Sequence, residues 1–350
     1  MNPVILALRD PQSLPGWNEP QWEMLVRQAR SAALLPRIAM LLDECGQLDR
    51  VPSAPRAHLL GAQRLARAQA DEVRREVAFL AQALESTAVD LILLKGAAYL
   101  FARLPAAHGR VFSDVDILVP RAALPRVEAA LMRAGWATSH HDPYDQRYYR
   151  EWMHELPPLR HVARGTVLDV HHSIAPPTGR LKPEPAKLLT AAQPVPGQAT
   201  LKVLAPLDMI LHSAVHLYLN EELSRGLRDL VDIDALLRHF SASPDFWPSL
   251  QARATELGLK KPLQNAARYA NRILATPVPA ELITRINVLD PLYLRALQPQ
   301  HPAASDRFTA LARNLLYVCG HWLRLPPALL AYHLSVKALR RPEPPAKTGR

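Results

Sequence analysis

The stretch RVFSDVDILV, residues 110–119, sets two carboxylates, Asp114 and Asp116, into a run that otherwise has strand composition. Val111, Phe112, Val115, Ile117, Leu118 and Val119 are β-branched, aromatic or aliphatic. Side chains alternate across a strand, so the pattern predicts Asp114 and Asp116 on one face and Val115 and Ile117 on the other. Burying two like charges without a partner costs on the order of several kcal/mol. A positive partner is therefore required. A divalent metal is the economical one, because Mg²⁺ takes carboxylate oxygens and usually brings phosphates with it.

Working outward, VDLILLKGAAYLF (89–101) reads as strand, tight turn and helix. Gly96 permits the turn, and the helix start offers free N–H groups to an anion. Lys95 and Arg110 add fixed positive charge. Downstream, TVLDVHHSI (166–174) is a second strand with a carboxylate inside it: Asp169, followed two residues later on the same face by His171. Three carboxylates around two metal ions, beside a phosphate cradle, match the needs of in-line phosphoryl or nucleotidyl transfer.

The rest of the chain is helical in pattern. Of 350 residues, 49% are hydrophobic and 21% charged, an ordinary globular composition with ample core. The 33 prolines fall between helical stretches as stops. Apolar spacing predicts helices over 20–46, split at Pro36 and capped by Gly46, and over 55–87. Residues 136–165 read as strands and irregular loops rich in His, Tyr and Arg, and 175–206 as a Pro-rich connector. From Pro206 to about 340 the pattern is helical throughout, and the polar tail that follows reads as disordered. The net charge of +10 suits an anionic partner, although an Arg- and Ala-rich composition yields basic proteins regardless. Basic helices without a helix-turn-helix signature or a stacking platform leave nucleic acid the less favoured partner. Two distant cysteines, Cys45 and Cys319, fit a reducing cytoplasm. No signal peptide or membrane span is expected.

With these motifs in order, the chain resembles the polymerase-β-like nucleotidyltransferase superfamily. The closer likeness is to its bacterial branch of uncharacterised nucleotidyltransferases, NTP-transferase family 5. The branch pattern is LKG, a helix, R-x-x-S/T-D-h-D-h-L-h, then h-D/E-h-H. It falls here on Lys95, Gly96, Arg110, Ser113, Asp114, Asp116, Asp169 and His171. HELPPL before the third acidic strand and the helical pieces HSAVHLYL and LRDLVDIDALL extend the likeness over roughly 20–340. One departure is Ala97, where the superfamily carries Ser or Gly after the turn glycine.

The resemblance implies an α+β fold: a small mixed β-sheet nucleotidyltransferase core (89–205), N-terminal helices (1–88), a C-terminal helical domain (206–340) closing over the cleft, and a tail (341–350). The expected activity is Mg²⁺-dependent transfer, with Mn²⁺ as the alternative ion. A nucleoside monophosphate or related group would pass from an NTP to an acceptor hydroxyl or phosphate on a small molecule, peptide or protein. Asp114, Asp116 and Asp169 would be both catalytic and metal-binding. Lys95, Gly96, Arg110, Ser113 and His171 would contact the nucleotide. The alternative is a degenerate relative that binds a nucleotide or a partner without turnover.

Plainer readings stand beside these. The Asp114/Asp116 pair suits a solvent-facing strand end, Asp169 a salt bridge to an arginine, and His171 a core position. His212 and His216, four apart on a helix, read as scaffold hydrogen-bonded to Asp229 or Asp232 of the next helix. His154 is a candidate for contact with the substrate or with a metal-holding side chain.

Overall fold

The structure, a computed structural model, describes residues 1–138, 140–219, 223–283 and 287–339. The first helices are α1 (Pro3–Arg9), α2 (Glu19–Ser31), α3 (Leu35–Glu44) and the long α4 (Ser53–Leu84). Pro36 sits in the first turn of α3, where its missing N–H costs nothing, and so separates α2 from α3. Gly46 follows α3 in left-handed backbone (φ +69).

The middle of the chain alternates strands and helices. β1 (Leu91–Leu94) runs into α5 (Lys95–Phe101), followed by β2 (Val115–Leu118), α6 (Leu124–Arg133) and β3 (Trp136–Thr138). α7 (Pro143–Arg147) continues into a π-helical turn, Tyr148–Trp152, before β4 (Leu159–His161) and β5 (Val167–His171). Then come α8 (Pro185–Ala191), β6 (Gln193–Val195) and β7 (Gln198–Val203).

The seven strands form one mixed sheet in the order β3-β4-β5-β2-β1-β7-β6. β2 pairs parallel to β5 and antiparallel to β1, and β1 pairs parallel to β7. Two expectations are corrected here. The segment 175–206 is not a plain connector, because it supplies α8 and two strands. Pro194 lies in β6 at the sheet edge, where the absent donor breaks no ladder. The strand after Arg110 is also shorter than its composition suggested: it begins at Val115, so Asp114 stands just before it.

The helical remainder comprises α9 (Pro206–Leu219), α10 (Gly226–Phe240), α11 (Phe246–Glu256), α12 (Lys260–Leu274), α13 (Ala280–Ile283), α14 (Asp290–Ala296), α15 (Arg307–Arg324) and α16 (Pro327–Leu339). One hydrophobic cluster runs from Val4 of α1 through the sheet to Leu316 of α15, so the N-terminal helices, sheet and later helices share a core. Arg164, in the β4–β5 turn, pins α4 to the sheet by a two-pronged ion pair with buried Glu76 at 2.8 and 2.7 Å. Among the described residues no helix is long and apolar enough to cross a membrane. The tail expected over 341–350 lies outside the described residues.

Candidate active site

Strand register brings the acidic motifs together. Asp116 of β2 and Asp169 of β5 are direct partners across the parallel pair. On the other side of β2, Asp116 stands opposite Leu94, the last residue of β1. The chain then turns through left-handed backbone at Lys95 (φ +46) into α5. A lysine in that region carries backbone strain of about 1–3 kcal/mol, of the kind that collects at functional sites. Lys95 Nζ donates to Asp116 Oδ1 at 2.6 Å. His171 lies two residues beyond Asp169 on the same strand face, and its Nε2–H donates to the same oxygen at 3.0 Å.

These contacts divide the carboxylates. Burial opposes the charge of Asp116, which is only 3% exposed, but Lys95 and His171 hold its carboxyl well below the usual range. Burial likewise opposes the Lys95 ammonium, yet Asp116, Asp114 and Asp169 together hold its proton more tightly than usual. At Asp169 the favourable pull of His171 and Lys95 is outweighed. Burial, then Asp116 and Glu155, push its carboxyl up to about 8, and its buried Oδ1 has no hydrogen-bond partner. That unmatched buried oxygen is a polar atom that a bound cation would satisfy. Carboxylate oxygens such as those of Asp114, Asp116 and Asp169 are the ligands Mg²⁺ takes, but among the described residues the group whose ligand atoms lie within 4.8 Å of one another is His154, Glu155 and His171, not these three.

Asp114, Asp169, Lys95 and His171 line a cavity of about 840 Å³. Arg110, His154 and Glu155 join them, and α9 adds His212 and His216. Arg225 just before α10 and Arg324 at the end of α15 supply positive charge, Arg228 reaches the wall already paired with Asp229 at 2.8 Å, and Tyr144, Tyr148, Tyr149 and His333 form an aromatic wall. That wall is braced by the ring of His333 stacked on Tyr148 at 4.9 Å and by the Tyr144 hydroxyl, 2.7 Å from His333 Nδ1. Burial, then His171, holds His154 well below the ordinary histidine range. Burial, then Lys95, does the same to His212 and brings His216 down to about 3. All three are neutral rings. His216 Nδ1 lies 3.7 Å from Asp229 Oδ2, the cross-helix contact its spacing suggested.

Three of the residues expected at the triphosphate are placed differently. The left-handed turn falls on Lys95, not Gly96. Gly96 instead makes room for Arg110, since a Cβ there would lie 2.2 Å from Arg110 Nη1. Arg110, 7% exposed, is committed to Asp232 through Nε at 2.8 Å, with Arg37 Nη2 3.9 Å from the same carboxylate. Arg110 reaches the cavity wall as half of a buried pair, not as a free cation. Ser113 lies outside the large cavity and accepts a hydrogen bond from Arg225 Nη1 at 3.1 Å. Asp116 is not on the cavity surface either, being covered by Lys95 and His171.

Glu155, Arg225, Arg228 and the three tyrosines were not singled out from the sequence. The signal was there in part. Within HELPPL only His154 stands out as a candidate side chain, and DPYDQRYYREW (142–152) carries an unusual density of tyrosines.

No curated protein matches the chain. A solved structure, an antigenic nucleotidyltransferase-like protein from Paracoccidioides brasiliensis, shares 15% identity over 61% of this chain and 98% of that one. Its TM-score of 0.32 is too low to equate the two folds. The family model described as uncharacterised nucleotidyltransferase matches residues 18–275, which includes every acidic motif of the cavity. The chain belongs to that family of uncharacterised nucleotidyltransferases.

Proposed function

We propose that the chain is a divalent-metal-dependent nucleotidyltransferase of the polymerase-β-like type, moving a nucleoside monophosphate or related phosphoryl group from an NTP to an acceptor hydroxyl or phosphate. The observation that carries this reading is the register of Asp116 against Asp169, with Asp169 Oδ1 buried and unmatched at the edge of a basic cavity. Asp114, Asp116 and Asp169 would hold the metal. When bound, Mg²⁺ supplies Lewis acidity that neutralises the leaving pyrophosphate and eases ionisation of the attacking hydroxyl. Lys95 and Arg225 meet the triphosphate's charge from the cavity lining. Asp169, in register beside Asp116, would also take the acceptor's proton. The tyrosine wall bounds the space left for the base or the acceptor. The paucity of cysteines supports a cytoplasmic setting.

The first test is thermal. Mg²⁺ with the right NTP should stabilise the folded protein by roughly 2.7–4 kcal/mol at 100 to 1,000 times Kd. A melting temperature indifferent to Mg²⁺ with every NTP contradicts the reading. Lys95→Ala is expected to weaken NTP binding roughly ten- to hundredfold, the worth of one charge-assisted hydrogen bond. Isothermal titration of the folded variant checks this, and unchanged affinity would give Lys95 a structural role only.

One observation favours binding without turnover as the second reading. Asp116 Oδ1 is already engaged by Lys95 and His171, so the protein itself neutralises the carboxylate meant for the metals. Transfer of label from NTP to any acceptor in a lysate separates the two, because only the enzyme moves label.

A further inference from the structure

HELPPL does more than precede the third acidic strand. Leu156 N donates to Val170 O at 2.9 Å and His172 N to His154 O at 2.8 Å, so the backbone of 154–156 is fixed along the end of β5. This sets His154 and Glu155 against His171, with the two imidazole rings 5.2 Å apart. One ligand-capable atom from each of the three residues lies within 4.8 Å of the other two.

The ring nitrogens of the pair are sorted. His171, 2% exposed, gives Nε2 to Asp116, and its Nδ1 faces Glu155 Oε2 at 3.2 Å without the alignment of a hydrogen bond. His154 Nδ1 is also buried and without a hydrogen-bond partner. One ligand-capable atom from each of two imidazoles and a carboxylate thus lies within 4.8 Å of the others, and the Nδ1 atoms of both rings lack hydrogen-bond partners. The 3.2 Å separation is close to the ligand–ligand edge of about 3.3 Å expected around an ion with bonds near 2.0–2.1 Å. An imidazole that binds a metal through one nitrogen commonly donates the other N–H to a carboxylate, which is the posture of His171 toward Asp116.

We infer that His154, Glu155 and His171 form a site for a first-row transition ion of the Zn²⁺ type, separate from the three-aspartate site and joined to it through the His171–Asp116 hydrogen bond. Two imidazoles and one carboxylate select such an ion over Mg²⁺, which prefers oxygen throughout. Three protein ligands leave a position open toward the cavity that the same residues line. The ion ties the HELPPL segment to β5 and fixes His171 as the Nε2–H donor that orients Asp116. The inference needs no nucleotide and stands apart from the transferase reading.

The test uses Co²⁺ as a spectroscopic stand-in on chelator-treated full-length protein with no nucleotide present. One Co²⁺ per chain is expected, with visible absorption bands of a four- or five-coordinate nitrogen–oxygen shell, undisturbed by millimolar Mg²⁺. His154→Gln and Glu155→Gln should each weaken Co²⁺ at least tenfold, whereas Asp114→Asn and Asp169→Asn should change it less than threefold. X-ray absorption of the Zn²⁺-loaded wild type should show two imidazoles, a readout that does not depend on any variant folding. An all-oxygen shell, no stoichiometric Co²⁺, or loss of Co²⁺ in the aspartate variants but not in His154→Gln, would overturn the site. Failure of nucleotide transfer would leave it untouched.

Discussion

Asp169→Asn is expected to bind Mg²⁺ with NTP within a fewfold of wild type and to transfer at least about a thousandfold more slowly, a loss near 4 kcal/mol of transition-state stabilisation. The split follows from where the carboxylate sits. Asp114 and Asp116 remain to hold the nucleotide-bound ion, whereas Asp169, beside Asp116 in register, is the carboxylate whose Oδ1 is left unmatched. An amide keeps its shape but neither takes a proton nor ligates as an anion, so the acceptor loses its base and a correctly charged metal ligand together. Isothermal titration measures the first quantity and radiolabelled NTP transfer the second, with lysate as an unbiased source of acceptors. Transfer that persists in Asp169→Asn would remove the three-carboxylate mechanism.

Asp232→Asn should cost about 3–5 kcal/mol of stability, among the largest effects available outside the acidic cluster. Both members of the Arg110–Asp232 pair are buried, and Arg37 shares the same carboxylate while donating to Pro105 O and Ala106 O at 2.7 Å each. Removing the anion strands two buried guanidinium groups. Gly96→Ala should act in the same direction, because its new methyl would displace Arg110 from its place. The combined replacement Arg110→Met with Asp232→Leu should recover only the part of the loss that comes from Arg110, because Arg37 remains without the carboxylate. Shifts in urea denaturation midpoints measure all three. A loss under about 1 kcal/mol in Asp232→Asn would show that the pair does not hold β2, α5 and α10 together.

The acidic motifs were legible because alternation along a strand is a local rule. Asp169 and His171 had to share a face, and the β5–β2 pairing then put both beside Asp116. The Asp229 contact of His216 was legible for the same reason, as helix spacing fixes which side chains face a neighbour. What escaped was long-range. Arg110 finds Asp232 across 122 positions, and no local pattern distinguishes a paired arginine from a phosphate ligand. Gly96 was read as a turn glycine because Lys-Gly after an apolar run suggests one. The structure spends the positive φ on the lysine and uses the glycine for a close approach instead. β6 was hidden by Pro194, which an edge strand tolerates, and β7 followed it out of sight because the segment around them read as a Pro-rich connector. Glu155 was hidden because its segment has no period at all, being held by two backbone hydrogen bonds to the end of β5.

The most direct measurement is a crystal structure with Mg²⁺ and each of the four common ribonucleoside triphosphates in turn, as non-hydrolysable analogues. One of them is expected in the cavity, with ions against Asp114, Asp116 and Asp169, the Lys95 ammonium drawn from Asp116 toward the phosphates, and Asp169 Oδ1 matched. Nucleotide bound elsewhere, or bound in the cavity with no ion at these carboxylates and Lys95 still on Asp116, would contradict that expectation.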